Sequence, residues 1–91
     1  DESYNANNKI MIKIKLKCFS QVKYALETDE LIFELEDGTT SYEFEKIVRQ
    51  RSGDKLEGVT LRIAVNQEYV KDATELYDGD EVVLIPPVQG G

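Results

Sequence analysis

Residues 10–18 read IMIKIKLKC. Ile10, Ile12, Ile14, Leu16 and Cys18 alternate with Met11, Lys13, Lys15 and Lys17. A period of two predicts a strand with one face in a core and the other in water. Residues 30–36, ELIFELE, alternate in the same way, with Leu31, Phe33 and Leu35 against Glu30, Ile32, Glu34 and Glu36. A lysine stripe on one strand and a glutamate stripe on the next predict an antiparallel hairpin. Its opposite charges would face each other on the exposed side, each pair contributing about 0.2–1 kcal/mol.

Working outward from this pair, Asp37-Gly38 is a turn. Thr40, with Glu43 three residues on, is a capping box that starts a helix. Phe44, Ile47 and Val48 follow at helical spacing, and Gly53 closes the segment. The result is one amphipathic helix of roughly three turns, whose apolar stripe requires a sheet to lie on. A loop through Leu56 and Gly58 leads to a strand over 61–66, with Leu61, Ile63 and Val65 on one face. Tyr69-Val70 is a very short further strand, and Asp78-Gly79-Asp80 is a turn. The last strand covers 81–85 and stops at Pro86, which has no N–H to donate. The order β-β-α-β-β-β predicts an α+β fold: a mixed sheet of four to five strands with one main helix on one face.

Composition narrows the function. Ninety-one residues make one small domain, which buries only about 60–65% of its unfolded surface and has no room for an enclosed active site. No apolar run approaches the roughly 20 residues of a membrane span. The first ten residues, DESYNANNKI, lack the basic start and apolar segment of a signal peptide. They read as a disordered extension or a cloning remnant before a domain over 11–91, and Met11 is either an original start or an ordinary strand residue. The net charge of −7 argues against nucleic acid, which needs clustered cations, and favours a basic protein partner. The single Cys18 excludes an intramolecular disulfide and fits a reducing, cytoplasmic setting. It lies in register with Ile14 and Leu16, so it reads as a small core residue rather than a persulfide site. With no histidine, the commonest general base and metal ligand is missing. Asp78, Asp80 and Glu81 lack the ligand spacing of a calcium loop and read as a solvated turn, so no metal site is expected.

The last strand is apolar on both faces: Val82, Val83, Leu84 and Ile85. If Val82 and Leu84 face the helix, Val83 and Ile85 face away from it. Continuing the first strand's alternation puts Phe19 on that same side. Phe19, Val83 and Ile85 are therefore a candidate partner interface.

Beyond it the chain ends Pro86-Pro87-Val88-Gln89-Gly90-Gly91. Each proline holds the residue before it extended, so the segment leaves the sheet in a polyproline-like direction and loses little entropy on docking. Its six residues reach at most about 20 Å. Gly90 and Gly91 carry no Cβ, so the tip can thread a narrow channel. The terminal carboxylate is ionised at neutral pH and can attack the α-phosphate of a nucleotide to give an acyl-adenylate, which passes its acyl group to sulfur or nitrogen. Gly91 is thus the candidate reactive residue, and 86–90 the arm that carries it into a partner's active site.

DGDEVVLIPPVQGG at 78–91, AVNQEYV at 64–70 and FSQVK at 19–23 resemble the small, sulfur-carrier subunits of molybdopterin synthase, a ubiquitin-like β-grasp family, over roughly residues 11–91. The Pro-Pro-x-x-Gly-Gly ending is the specific part. The resemblance implies a non-catalytic carrier in molybdenum cofactor biosynthesis that binds no cofactor itself. An adenylating and sulfurtransferase enzyme similar to those that start ubiquitin pathways would use ATP to activate Gly91, which becomes a thiocarboxylate. The tail would then enter the large synthase subunit, in a 2+2 heterotetramer, and its sulfur would attack cyclic pyranopterin monophosphate. Two other readings share the activation step: a protein modifier joined through Gly91 to a lysine, and a sulfur carrier of the thiamine or tRNA-thiolation pathways. A plain interaction module with an inert tail would survive loss of Gly91.

Overall fold

The computed structural model describes residues 9–86. Their order is β1 (Met11–Lys17), α1 (Ser20–Leu26), β2 (Glu30–Glu36), α2 (Ser41–Arg51), β3 (Arg62–Val65), β4 (Glu68–Val70) and β5 (Glu81–Ile85). The strands form one mixed sheet in the order β2-β1-β5-β3-β4. β1 pairs with β2 antiparallel and with β5 parallel, and β3 is antiparallel to both β4 and β5.

The alternation of residues 10–18 becomes burial. Ile12, Ile14, Leu16 and Cys18 are buried while Lys13 is exposed. Against β2 the register sets Lys13 opposite Glu34 and Lys17 opposite Glu30. Glu30 lies 3.7 Å from Lys17 and 4.0 Å from Lys15. The expected antiparallel pair is there, but a turn does not join it. The connection contains α1, which the predicted order lacks. This helix has seven residues, no side-chain cap at Phe19, no acid in its first turn, and Glu27 rather than glycine in the left-handed conformation at its end. Among the usual helix signals it has only a lysine in its last turn, Lys23. Its stability comes from Val22 and Ala25, which are buried in the common core, and tertiary packing of this kind outweighs intrinsic propensity in so short a helix.

α2 carries the predicted capping box. The Glu43 N–H donates to Thr40 Oγ1 at 3.2 Å, and the Thr40 N–H donates to Glu43 Oε1 at 2.9 Å. Phe44 and Val48 are fully buried, Ile47 partly, and the Phe44 ring meets Phe33 of β2 edge to face at 5.1 Å. Arg49 ties the following loop down: Nη1 donates to the Leu56 carbonyl at 2.8 Å, Nη2 to the Val59 carbonyl at 2.7 Å, and Nε to Glu45 at 2.9 Å. Both helices share one cluster with Ile14, Leu16, Ile63, Val82 and Leu84, so they lie on the same side of the sheet.

β3 and β4 are joined by Asn66 and Gln67, with φ of 50° and 72°. Two consecutive left-handed residues match the right-handed twist of a tight hairpin, and asparagine tolerates that conformation better than most residues. Asn66 also reaches the start of β5. Its backbone N–H donates to the Glu81 carbonyl at 2.8 Å, its Oδ1 accepts from the Glu81 N–H at 3.0 Å, and its Nδ2 donates to Asp80 at 3.0 Å. The turn at 78–80 is more than solvated. Asp78 accepts from the Lys13 N–H at 2.7 Å and Asp80 from the Tyr77 N–H at 2.8 Å, so these carboxylates fix where β5 begins.

Candidate functional site

With both helices on one side, the other face of the sheet is left to solvent among the described residues. The register defines its rows. Val83 lies between Lys17 of β1 and Ala64 of β3, and Tyr69 lies beyond Ala64. Ile85 lies opposite Arg62, whose guanidinium stacks over the Tyr69 ring at 4.9 Å. Val82 and Leu84 are fully buried under the helices, whereas Val83 and Ile85 are half-buried. The facing expected for the last strand therefore holds.

Phe19 is 54% exposed and stands just past β1, as the residue preceding α1. The parallel register of β1 with β5 ends at Lys17 with Val83, so among the described residues no strand pairing sets Phe19 beside Ile85. Chain pairing added three residues that sequence reasoning had not assigned to this face. They are Arg62, Ala64 and Tyr69, and Ala64 is nearly covered at 6% exposure although it points away from the helices. Strand alternation could show that 62 and 64 share a face, but not that this face adjoins Val83. The charge of the face is also local. Lys13, Lys15, Lys17 and Arg62 cross its centre and Glu30, Glu34 and Glu36 line the β2 side, so the net charge of −7 does not describe what a partner would meet here.

β5 is flanked by β1 and β3, and Pro86 follows its last residue, half-buried. The direction in which the chain leaves is thus set by a strand in the middle of the sheet. Pro87, Val88, Gln89, Gly90 and Gly91 lie outside the described residues.

Elsewhere the described residues offer little chemistry. No group of three His, Cys, Asp or Glu side chains is placed to hold a metal ion. Cys18 is 1% exposed, and its thiol donates weakly to the Leu16 carbonyl at 3.9 Å. Burial first, and then the Asp29 and Glu30 carboxylates, push this thiol above its usual pKa. It stays protonated, and the thiol is not the nucleophilic form. No helix among the described residues is long and apolar enough to cross a membrane.

The ThiS family model matches residues 16–91. The chain belongs to the ThiS family. Among known relatives of this ThiS-family chain, it is 37% identical over 86 residues to the molybdopterin synthase sulfur carrier subunit of Chlamydomonas reinhardtii, covering 88% of this chain and 100% of the relative. Among solved structures it is similar to a putative molybdopterin converting factor, subunit 1, from Pyrococcus furiosus. The TM-score is 0.76 at 30% identity, over 85% of this chain and 99% of the other. It also shares its fold with a chain of the complex of subunits 1 and 2 of molybdopterin-converting factor from Helicobacter pylori. There the TM-score is 0.60 at 24% identity, over 88% and 100% of the two chains. The fold is the ubiquitin-like β-grasp, as the sequence resemblance implied.

Proposed function

We propose that this chain is the sulfur carrier of a molybdopterin synthase. The observation that carries the proposal is the placement of β5. This central strand has an uncovered apolar row, Val83 and Ile85, on one side, and it runs out through Pro86 toward Gly90-Gly91. A partner that grips the open face thereby also receives the tail. The 37% identical Chlamydomonas relative, a sulfur carrier subunit, supports the reading.

The chemistry belongs to the terminus. The Gly91 carboxylate attacks the α-phosphate of ATP in an activating enzyme, forming the acyl-adenylate and releasing pyrophosphate. A sulfur nucleophile supplied by that enzyme system attacks the acyl carbon, and AMP leaves with the bonding electron pair. The resulting thiocarboxylate enters the large synthase subunit on the extended arm 86–91. Its sulfur attacks an oxygen-bearing carbon of the pterin precursor, the C–O bond there breaks and the oxygen leaves with the bonding pair, and water then cleaves the acyl–sulfur link to restore the carboxylate. Each carrier delivers one sulfur, so a dithiolene needs two deliveries. The large subunit provides the pterin site, which is consistent with a carrier that has no histidine.

The test is intact mass after incubation with ATP, an activating enzyme and a sulfur donor, followed by transfer to the large subunit. Replacement of one oxygen by sulfur, with its loss on adding the pterin precursor, is expected. An isopeptide-linked product on a protein lysine would assign the chain to the modifiers. Sulfur uptake without delivery to the pterin precursor would assign it to another sulfur pathway.

A further inference from the structure

β2 is an edge strand. Among the described residues it pairs only with β1, and alternate residues along such an edge turn both backbone polar groups outward. Beside it, between its C-terminal half and α2, runs a groove of about 470 Å³. Leu35 of β2, Ile47 of α2 and Met11 of β1 give it apolar surface, and Glu34, Glu36 and Asp37 supply acids around it, while Glu43 beside it is held by Thr40. Glu34 makes no hydrogen bond or ion pair among the described residues, and its side chain points to the open face, opposite Lys13.

The chain itself shows which strand suits β2. On its inner edge β2 pairs along its full length with β1, MIKIKLK, where Ile12 and Ile14 face Leu35 and Phe33, and Lys13 and Lys17 face Glu34 and Glu30. The same two faces continue past the outer edge. A strand added there would turn alternate side chains toward Leu35 and Ile47, and the others toward the glutamate row.

We infer that the outer edge of β2 and the adjoining α2 groove bind an extended, basic segment of a partner protein in which lysine or arginine alternates with apolar residues. Main-chain hydrogen bonds would supply affinity and the alternating side chains specificity, as in other cases of strand addition. Arg51 stacks over the Phe33 ring at 5.3 Å, beside the middle of β2. Basic residues of the incoming segment therefore belong over Glu34 and Asp37, toward the C-terminal end of β2, where Glu36 is already paired with Lys9 at 3.0 Å. A second copy of this chain is a poor occupant, because two such edges would set glutamates against glutamates. β1 lies between this edge and the Val83 row, although Glu34 and Glu36 share the open face with that row, and the inference does not rest on the sulfur-carrier reading.

The experiment maps amide shifts of the isotope-labelled full chain on titration with a capped heptapeptide alternating lysine and isoleucine. The control peptide has glutamate in place of lysine. The lysine peptide should perturb residues 31–37, Glu43 and Ile47, and its affinity should fall with salt and exceed the control's by about tenfold or more, as several opposite-charge pairs replace like-charge ones. Glu34→Lys should weaken it by about two- to fivefold, and methylating the peptide's edge-facing amides should abolish binding. The inference is overturned by no shifts at millimolar peptide, by shifts confined to the Ala64, Val83 and Ile85 face, by equal binding of both peptides, or by dimerisation of the chain alone through β2. A β2 amide pattern that changes when residues 1–8 are deleted would likewise overturn it, by assigning the edge to the chain's own N-terminal segment.

Discussion

Arg62 and Ile85 are direct partners across β3 and β5, and Ile85 is the last strand residue before Pro86. A cation therefore stands beside the point where the chain leaves the sheet. Ile85→Glu would set a carboxylate next to that guanidinium, on a half-buried position outside the main core. The thermal midpoint should change little. Under the proposed function, binding to a large synthase subunit and to an activating enzyme should each weaken by about 10- to 100-fold, the loss expected when a buried apolar side chain of about 1.5–3 kcal/mol is replaced by a charge. Calorimetric titration and a melting curve on the same sample check this. A large drop in melting temperature with binding intact would place Ile85 in the core.

Neighbouring residues on β5 should separate cleanly. Leu84 is fully buried under the helices and Val83 is half-buried on the other face. Leu84→Ala should cost about 2–5 kcal/mol. Val83→Ala should cost clearly less and should show itself mainly in partner binding. Urea unfolding monitored by circular dichroism gives both values.

Arg49 holds two backbone carbonyls of the 52–61 loop as well as Glu45. Charge-assisted bonds of this kind contribute about 1.5–3 kcal/mol each when a partner would otherwise be left unsatisfied. Because the arginine is partly exposed, Arg49→Ala should destabilise by about 2–3 kcal/mol in total. Arg49→Lys should recover only a part, since a point charge cannot replace a planar fork. Hydrogen exchange should show faster opening of residues 56–61 in both variants.

Burial and two nearby carboxylates raise the pKa of Cys18 in the folded chain. The folded state therefore prefers the protonated thiol. That preference stabilises the fold fully below the unfolded thiol's pKa of about 8.5. It is lost progressively as pH rises through the higher folded value, because ionisation then favours unfolding. Stability should decline above about pH 8.5, and Cys18→Ala should flatten that decline at the expense of a small cavity. The variant should still accept sulfur at Gly91. Denaturant midpoints measured across alkaline pH test the first statement, and intact mass tests the second.

Under the proposed function, deleting Gly91 would draw the terminal carboxylate back by one residue, about 3.3–3.6 Å along an extended arm. Productive attack needs reacting atoms about 3–3.5 Å apart and aligned. The shortened chain should fold and bind the large subunit normally but form no product, even with a thiocarboxylate installed chemically at Gly90. Gly91→Ala should be impaired less severely. Full sulfur transfer by the deletion variant would show that the terminus is not the reactive group.

The alternation in residues 10–18 and 30–36, the Thr40–Glu43 capping box and the closure of β5 at Pro86 were all legible in the sequence, because each rests on residues near one another along the chain. So was the chemical argument for the tail, which depends on the residue types at 86–91. The sequence by itself determined the strand faces, the start of α2, and the split of β5 into a buried and an outward row. Tertiary structure decided what those rows adjoin. Seven residues with no cap become α1 only because Val22 and Ala25 find the core. Arg62, Ala64 and Tyr69 join Val83 and Ile85 only because β5 inserts between β1 and β3. The edge position of β2 follows from the same insertion. Pairings between distant segments depend on how the whole sheet closes over one core, and no local pattern of side chains encodes that.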